Sequence, residues 1–297
     1  MKRTVTVFLI LFALASCATL NSQYGSYRAS DAPVKSEFPD SEFESRQWIS
    51  ARIRHEGAVY NVFAWKRGSL TTRLLLYRDP EGKHPFARLE RALRRVESSG
   101  EGVLLATNAG MYADDLTPLG LYREDGKELL PLNSAAGEGN FGLKPNGVFY
   151  FGQEGFGVAE TEEFAGGGES GRAVSGAPYA TQSGPLLLLS GAVHPEFTEG
   201  SNNRYIRSGV GVRGPGYRDE VFFAVSEGPV NFHQFARFFR DLLGCREALY
   251  LDGHTSRAWI PSLGRLQEGG RFGPILVVSD PSGAERVSVS VEISVYV

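Results

Sequence analysis

The sequence predicts an α+β fold, a strand-rich mixed sheet packed with a few helices and containing a βαβ unit over residues 220–252. Three observations carry this. Short apolar runs bounded by Gly, Pro, Asn and Asp recur from Trp48 onward, the pattern of strands separated by turns. Thirty-six Gly and 11% aromatic residues suit such a strand-and-turn protein. Apolar residues at helical spacing mark the segments 85–96 and 232–243, long enough for single helices laid on a sheet.

Taken in order, Trp48 to Ile53, Val59 to Trp65 and Thr71 to Tyr77 are strand-like runs separated by His55-Glu56-Gly57 and Arg67-Gly68-Ser69. An antiparallel meander is expected of them. Phe86, Leu89, Leu93 and Val96 recur three or four apart among charges, which predicts an amphipathic helix with its arginines on a solvated face. Val103 to Ala106 reads as a buried strand, and Asp125-Gly126 as the turn of a hairpin. Further strands are expected at Gly147 to Phe151, Phe156 to Ala159, Leu186 to Leu189 and Arg204 to Val212. The Gly- and Glu-rich stretch from Gly152 to Gly171 reads as a mobile loop and a candidate lid. Ile275 to Val278 and Val287 to Val291 close the sheet.

The βαβ unit carries the chemistry. Val221 to Val225 is a continuous apolar run, as in a strand buried on both faces. Asn231 is a good helix N-cap, Phe232, Phe235, Ala236, Phe239, Leu242 and Leu243 line one helical face, and Gly244 ends it. Ala248 to Leu251 then forms a second strand. If the two strands are parallel neighbours, Glu227 and Asp252 both lie just past carboxyl ends on the same sheet edge.

The net charge of -3 and pI near 6.0 give no basic excess for a nucleic-acid-binding surface. Two cysteines, Cys17 and Cys245, exclude a disulfide framework. Lys2 and Arg3 precede an apolar run from Val5 to Ala15, and Leu14-Ala15-Ser16-Cys17 resembles a bacterial lipobox. Residues 1–17 are therefore expected to be a lipoprotein signal peptide with lipidation at Cys17, and residues 18–45 a flexible tether. Residues 46–297 form the expected domain, with membrane contact through the lipid anchor only.

Several polar residues stand at strand ends. Asn108 follows the Val103 strand within Thr107-Asn108-Ala109-Gly110, where small residues let a ligand approach the backbone. Lys144 and Asn146 flank Pro145, an arrangement suited either to a solvated loop or to an anionic oxygen. Ser183 enters a strand without the Gly-x-Ser-x-Gly setting of a nucleophile. Arg207 could clamp a phosphate or carboxylate, or pair with surface acids. His233 at the helix start could contact a ligand or simply pack.

Asn108 to Tyr112, Ser183 to Pro185, Arg207 to Gly211, Glu227-Gly228 and Leu251-Asp252-Gly253 with Ser256 together resemble the phosphodiester glycosidase family, over roughly Val103 to Trp259. Ala109, Glu227 and His254-Thr255 depart from its pattern and point to a bacterial subgroup. The resemblance implies hydrolysis of a sugar 1-phosphodiester, releasing the sugar and leaving a phosphomonoester; with the lipoprotein signal, the expected substrate is an envelope or extracellular glycan. On that expectation Asp252, Glu227 and Arg207 are catalytic, with Glu227 and Asp252 as the carboxyl pair at the anomeric carbon. Asn108, Gly110, Lys144, Asn146, Ser183, His233 and Ser256 would bind the substrate. The alternative is a non-enzymatic envelope lipoprotein that binds glycans in the same cleft. No cofactor is expected; no His-x-His or His-Glu-x-x-His cluster occurs, although Asp252 could hold a hard divalent cation.

Overall fold

A computed structural model describes residues 38, 43, 44, 46–68, 70–75, 87–153, 155–166, 176–213, 219–252, 256–282 and 290–294, with backbone alone for 74, 75 and 290–294. Cys17, the rest of the signal region and most of the expected tether lie outside the described residues. Of the candidate lid only 154 and 167–171 lie outside them; the rest holds a strand over Gly155–Glu160, where one was expected, and a short helix over Thr161–Gly166 in place of the expected loop.

In chain order the first elements are β1 (Trp48–His55), β2 (Ala58–Lys66), β3 (Thr71–Leu75), helix α1 (Leu89–Glu97), β4 (Gly102–Asn108) and the hairpin β5 (Tyr122–Glu124) and β6 (Lys127–Leu130). Next come the short α2 (Gly139–Gly142), β7 (Gly147–Gly152), β8 (Gly155–Glu160), α3 (Thr161–Gly166), β9 (Tyr179–Ser183), β10 (Leu186–Leu189) and β11 (Ala192–Val193). The remainder is β12 (Ser208–Arg213), β13 (Glu220–Ser226), α4 (Phe232–Arg237), β14 (Glu247–Asp252), β15 (Ala258–Ile260), β16 (Arg265–Leu266), β17 (Ile275–Asp280) and β18 (Ser290–Ser294).

Three sheets result. The largest has the order β11-β10-β14-β12-β13-β2-β1-β18; the others are β16-β15-β4-β17-β3 and β6-β5-β9-β7-β8. The large sheet is mixed, because β1 and β18 run parallel while its other pairs are antiparallel. The fold is thus the strand-rich α+β class. One expected pairing differs: β3 follows β2 in sequence but leaves the meander and pairs with β17 in the second sheet.

The βαβ unit is present with an insertion. β13 and β14 each pair antiparallel with β12, so they run parallel to each other with β12 between them. They are not neighbours. The reason lies on β12, whose Gly209 and Gly211 leave room for the crossover. An added Cβ at Gly211 would stand 2.6 Å from Phe239 and 2.8 Å from the Cys245 sulfur, and one at Gly209 3.1 Å from Phe235. The crossover helix therefore lies directly on the glycine strand.

That crossover starts as α4, where the Asn231 side chain accepts the Gln234 N–H at 2.8 Å, an N-cap that satisfies one orphan donor of the first turn. It widens into a π-helical turn over Phe238–Leu242 and stops near Gly244, whose φ is +69°. Phe235, Phe238, Phe239, Leu242 and Leu243 pack there against Phe222, Ala224, Tyr60 and Val62. On the opposite face Val221, Phe223 and Val225 pack with Phe149, Phe156, Leu276 and Val278 of the smaller sheets. Alternation along β13 thus buries both faces, each full aromatic or aliphatic burial stabilising by about 1.5–3 kcal/mol. Phe38 and Phe43 are also buried, edge-on to Phe222, so packing on the core reaches back into the segment expected to be a tether.

Candidate active site

A cleft of about 980 Å³ opens where the carboxyl ends of β4 and β14 meet. Tyr250 and Asp252 of β14, with Asn203 and Tyr205 ahead of β12, form one side. Met111, Tyr112, Ala113, Asp114, Leu116 and Leu119 of the loop after β4 form another. Glu138 to Phe141 around α2, together with Arg257, Gly270 and Arg271, complete it.

A chain of side chains joins the two sheets beneath this cleft. Asn108, fully buried at the end of β4, donates from Nδ2 to Ser208 Oγ at 2.8 Å. Ser208 Oγ in turn donates to the Asp252 carbonyl at 3.1 Å, and Ser256 Oγ donates to the same carbonyl at 2.6 Å. Asn108 Oδ1 accepts the Arg257 N–H at 3.3 Å, while Thr107 Oγ1 donates to the Arg257 carbonyl at 2.8 Å. The end of β4 therefore fixes the backbone of both Asp252 and Arg257. Asn108 and Ser256 act through the scaffold rather than as cleft walls.

The two expected carboxylates diverge. Ser208 sits opposite Val225 on one side and Asp252 on the other, so the two strands lie two spacings apart, about 9–10 Å. Glu227 then turns toward β1 and β2. Its carboxylate accepts from Arg52 Nε at 2.7 Å and Nη2 at 2.8 Å, and from Asn61 Nδ2 at 3.1 Å. Arg52 and Asn61 alternate with Ala51, Ile53, Tyr60 and Val62, which pack under the helix; they therefore face the opposite side of the sheet. Asp252, just past a bulge in the β12–β14 register, lines the cleft together with Tyr250, which belongs to the helix-side core. The Arg52 hydrogen bonds hold the Glu227 carboxyl below its usual range, against the opposing effect of burial. The structure does not bring Glu227 into the cleft.

Arg207 is also withdrawn. It is 0% exposed, with its guanidinium 3.6 Å over the Phe232 ring and 5.3 Å from that of Tyr250. Nε donates to the Val230 carbonyl at 2.9 Å and Nη2 to the Asn203 carbonyl and Oδ1, both at 3.0 Å. Burial lowers its pKa, opposed by the nearby Tyr250 hydroxyl; Nη1 nevertheless finds no acceptor of good geometry. Arg207 thus braces Asn203, Tyr205 and Tyr250 from behind the cleft.

The remaining expected residues are structural in their contacts. Gly110 is where β9 approaches the chain: a Cβ there would stand 2.4 Å from Thr181 Oγ1 and 2.5 Å from the Gln182 carbonyl. A strand, rather than a ligand, uses that space. Lys144 Nζ donates to Asn146 Oδ1 at 3.1 Å, and Asn146 Nδ2 donates to the Phe141 carbonyl at 2.9 Å, so the pair shapes the loop that brings Phe141 to the cleft. Ser183 Oγ donates to the Leu251 carbonyl at 3.2 Å. His233 lies half-buried in the first turn of α4, away from the cleft walls.

Sequence reasoning missed Ser208, Tyr250, Arg257 and Arg271. Tyr250 shares the alternation of Asp252, and Ser208 and Arg257 each adjoin a residue already singled out; strand alternation could have found the first. Arg271 carries no local signal, since its loop reaches the cleft only through tertiary packing. There the Tyr112 hydroxyl donates to the Arg271 carbonyl at 2.6 Å, and a Cβ at Gly273 would stand 2.6 Å from the Leu116 carbonyl.

Fold and cleft together define an α+β protein with three carboxylates, Asp114, Glu138 and Asp252, and two arginines gathered around one cleft. A family model described as phosphodiester glycosidase matches residues 101–295, and the chain belongs to that family. It is similar to the uncharacterized protein YigE of Escherichia coli (strain K12), with 33% identity over 199 residues covering 67% of this chain and 74% of that protein. Its fold is similar to that of the catalytic domain of zebrafish N-acetylglucosamine-1-phosphodiester alpha-N-acetylglucosaminidase, auto-inhibited by its pro-peptide. The TM-score is 0.53 and the identity 15%, covering 82% of this chain and 85% of that one.

Proposed function

We propose that the protein hydrolyses a sugar 1-phosphodiester, with Asp252 as the carboxylate that acts at the anomeric carbon. The observation that carries this reading is the position of Asp252 in the wall of the cleft, with its backbone carbonyl held by Ser208 and Ser256. A group held in place from behind loses little freedom on reaching the reaction geometry. Water adds to C1, the C1–oxygen bond to phosphate breaks, and the products are the free sugar and a phosphomonoester. Tyr205, 55% exposed beside the cleft, offers a ring against which a sugar can pack.

The lipobox-like ending at Cys17 supports a lipid-anchored enzyme acting on glycans of the bacterial cell envelope. The family membership supports the reaction class. The test is a panel of methyl phosphodiesters of N-acetylglucosamine, glucose and mannose 1-phosphates, with release of reducing sugar followed by the purified chain. Release from at least one supports the reading. Calorimetric binding of the panel with no release would replace it with a glycan-binding lipoprotein.

A further inference from the structure

We infer that Arg257 and Arg271 form the phosphate subsite of the cleft and stabilise the departing phosphate, so that no carboxyl has to protonate it. The inference rests on the hydrolytic reading above. Both arginines line the same cleft as Asp252. The Arg257 backbone is pinned at its N–H by Asn108 and at its carbonyl by Thr107, and its Nη1 donates to the Glu268 carbonyl at 2.9 Å. Gly270 closes against this guanidinium, since an added Cβ would lie 3.2 Å from Arg257 Nε. Arg271 is exposed one residue further on the same loop, held by the Tyr112 hydroxyl.

Their place in the cleft is what sets them apart from the other described arginines. Arg52, Arg73, Arg213, Arg237 and Arg240 each pair with a carboxylate. Among the described residues neither Arg257 nor Arg271 has a carboxylate within ion-pairing distance. Two guanidinium groups in one cleft, neither engaged in an ion pair among the described residues, are suited to a phosphate, which they can meet with forked hydrogen bonds. Arg207, sealed under Phe232 and 0% exposed, cannot reach it.

The electron balance explains why one cleft carboxylate can suffice. An ordinary glycoside leaves as a strongly basic alkoxide and needs a general acid. A phosphomonoester departs already charged and stable, taking the C1–oxygen electron pair onto a phosphate oxygen that two cations can neutralise. Asp252 then receives the proton of the attacking water, and solvent returns it to the products. Glu227 has no part in this, as its salt bridge to Arg52 on the other face requires. Asp114 and Glu138, the other cleft carboxylates, are exposed.

The test compares the wild type with Arg257→Gln and Arg271→Gln on a methyl sugar-1-phosphate diester and on the 4-nitrophenyl glycoside of the same sugar, and titrates inorganic phosphate by calorimetry. Arg271→Gln removes no side-chain hydrogen bond among the described residues and guards against misfolding. The expected result is a fall of about a hundredfold in the phosphodiester-to-nitrophenyl ratio of kcat/KM, with phosphate binding weakened at least about tenfold. An unchanged ratio, or loss of turnover in Asp114→Asn or Glu138→Gln, would overturn the proposal. If the wild type cleaves no phosphodiester, phosphate binding that depends on both arginines still upholds the subsite while the hydrolytic reading fails. Wild-type binding of phosphate that ignores both substitutions sinks the subsite alone.

Discussion

Asn108 on one sheet donates a 2.8 Å hydrogen bond to Ser208 on another, and through it the carbonyl of Asp252 is held at the wall of the cleft. Both side chains are buried, so the contact is shielded from competing water. Removing Asn108 by Asn108→Ala takes the donor from the Ser208 oxygen and leaves the Arg257 N–H without its acceptor. A loss of about 1–3 kcal/mol follows for buried polar groups left unpaired, read as a lower urea midpoint. Because Asn108 also fixes Arg257, KM for a phosphodiester rises alongside.

Glu227→Gln separates the two strand-end acids. The salt bridge to Arg52 joins side chains 33% and 40% exposed, and such a solvent-screened pair stabilises by about 1 kcal/mol at most. Since the folded-state pKa of Glu227 is lowered, this contribution is present above the carboxyl's unfolded value and is lost as pH falls through the folded value. Turnover by Glu227→Gln should stay near wild type, and urea unfolding at pH 7 should show only the small loss.

His194 gives the protein an acid-sensitive step. Its Nε2 lies 3.1 Å from the Lys144 carbonyl and its Nδ1 accepts the Glu196 N–H at 3.2 Å, which requires the neutral ring. Burial lowers its pKa from 6.5 to about 4. The unfolded chain therefore binds more protons between these values, and stability falls as pH drops from 6.5 toward 4, by about 3 kcal/mol at the limit. Urea denaturation at pH 7, 5.5 and 4.5 measures this slope, which His194→Gln should flatten.

Gly211→Ala tests the close seat of the crossover helix. The new methyl collides with Phe239 and the Cys245 sulfur, and overpacking of this kind costs about 1–3 kcal/mol. Adding Cys245→Ala removes one of the two obstacles. The double variant should recover part of the lost urea midpoint; additive losses would contradict the packing described.

Much of the fold was legible because local patterns and tertiary packing agree. The apolar run 221–225, the Asn231 cap and the stop at Gly244 each follow from residue chemistry and each occur in the structure. What sequence could not supply was strand order. Nothing in residues 220–252 announces that β12 inserts between β13 and β14, because the pairing is set by residues 208–213 and their glycines. That insertion, and the pull of Arg52 and Asn61 from β1 and β2, separates Glu227 from Asp252. Arg257 and Arg271 were hidden for a related reason: their loops converge only through β4 and the contacts of Tyr112.

The central claim is most directly tested by Asp252→Asn in the purified chain, assayed for reducing sugar released from a methyl sugar-1-phosphate diester that the wild type cleaves. A loss of at least about a hundredfold in kcat, with an unchanged urea midpoint, is the predicted result. Turnover within about twofold of wild type in the folded variant would contradict the assignment of Asp252.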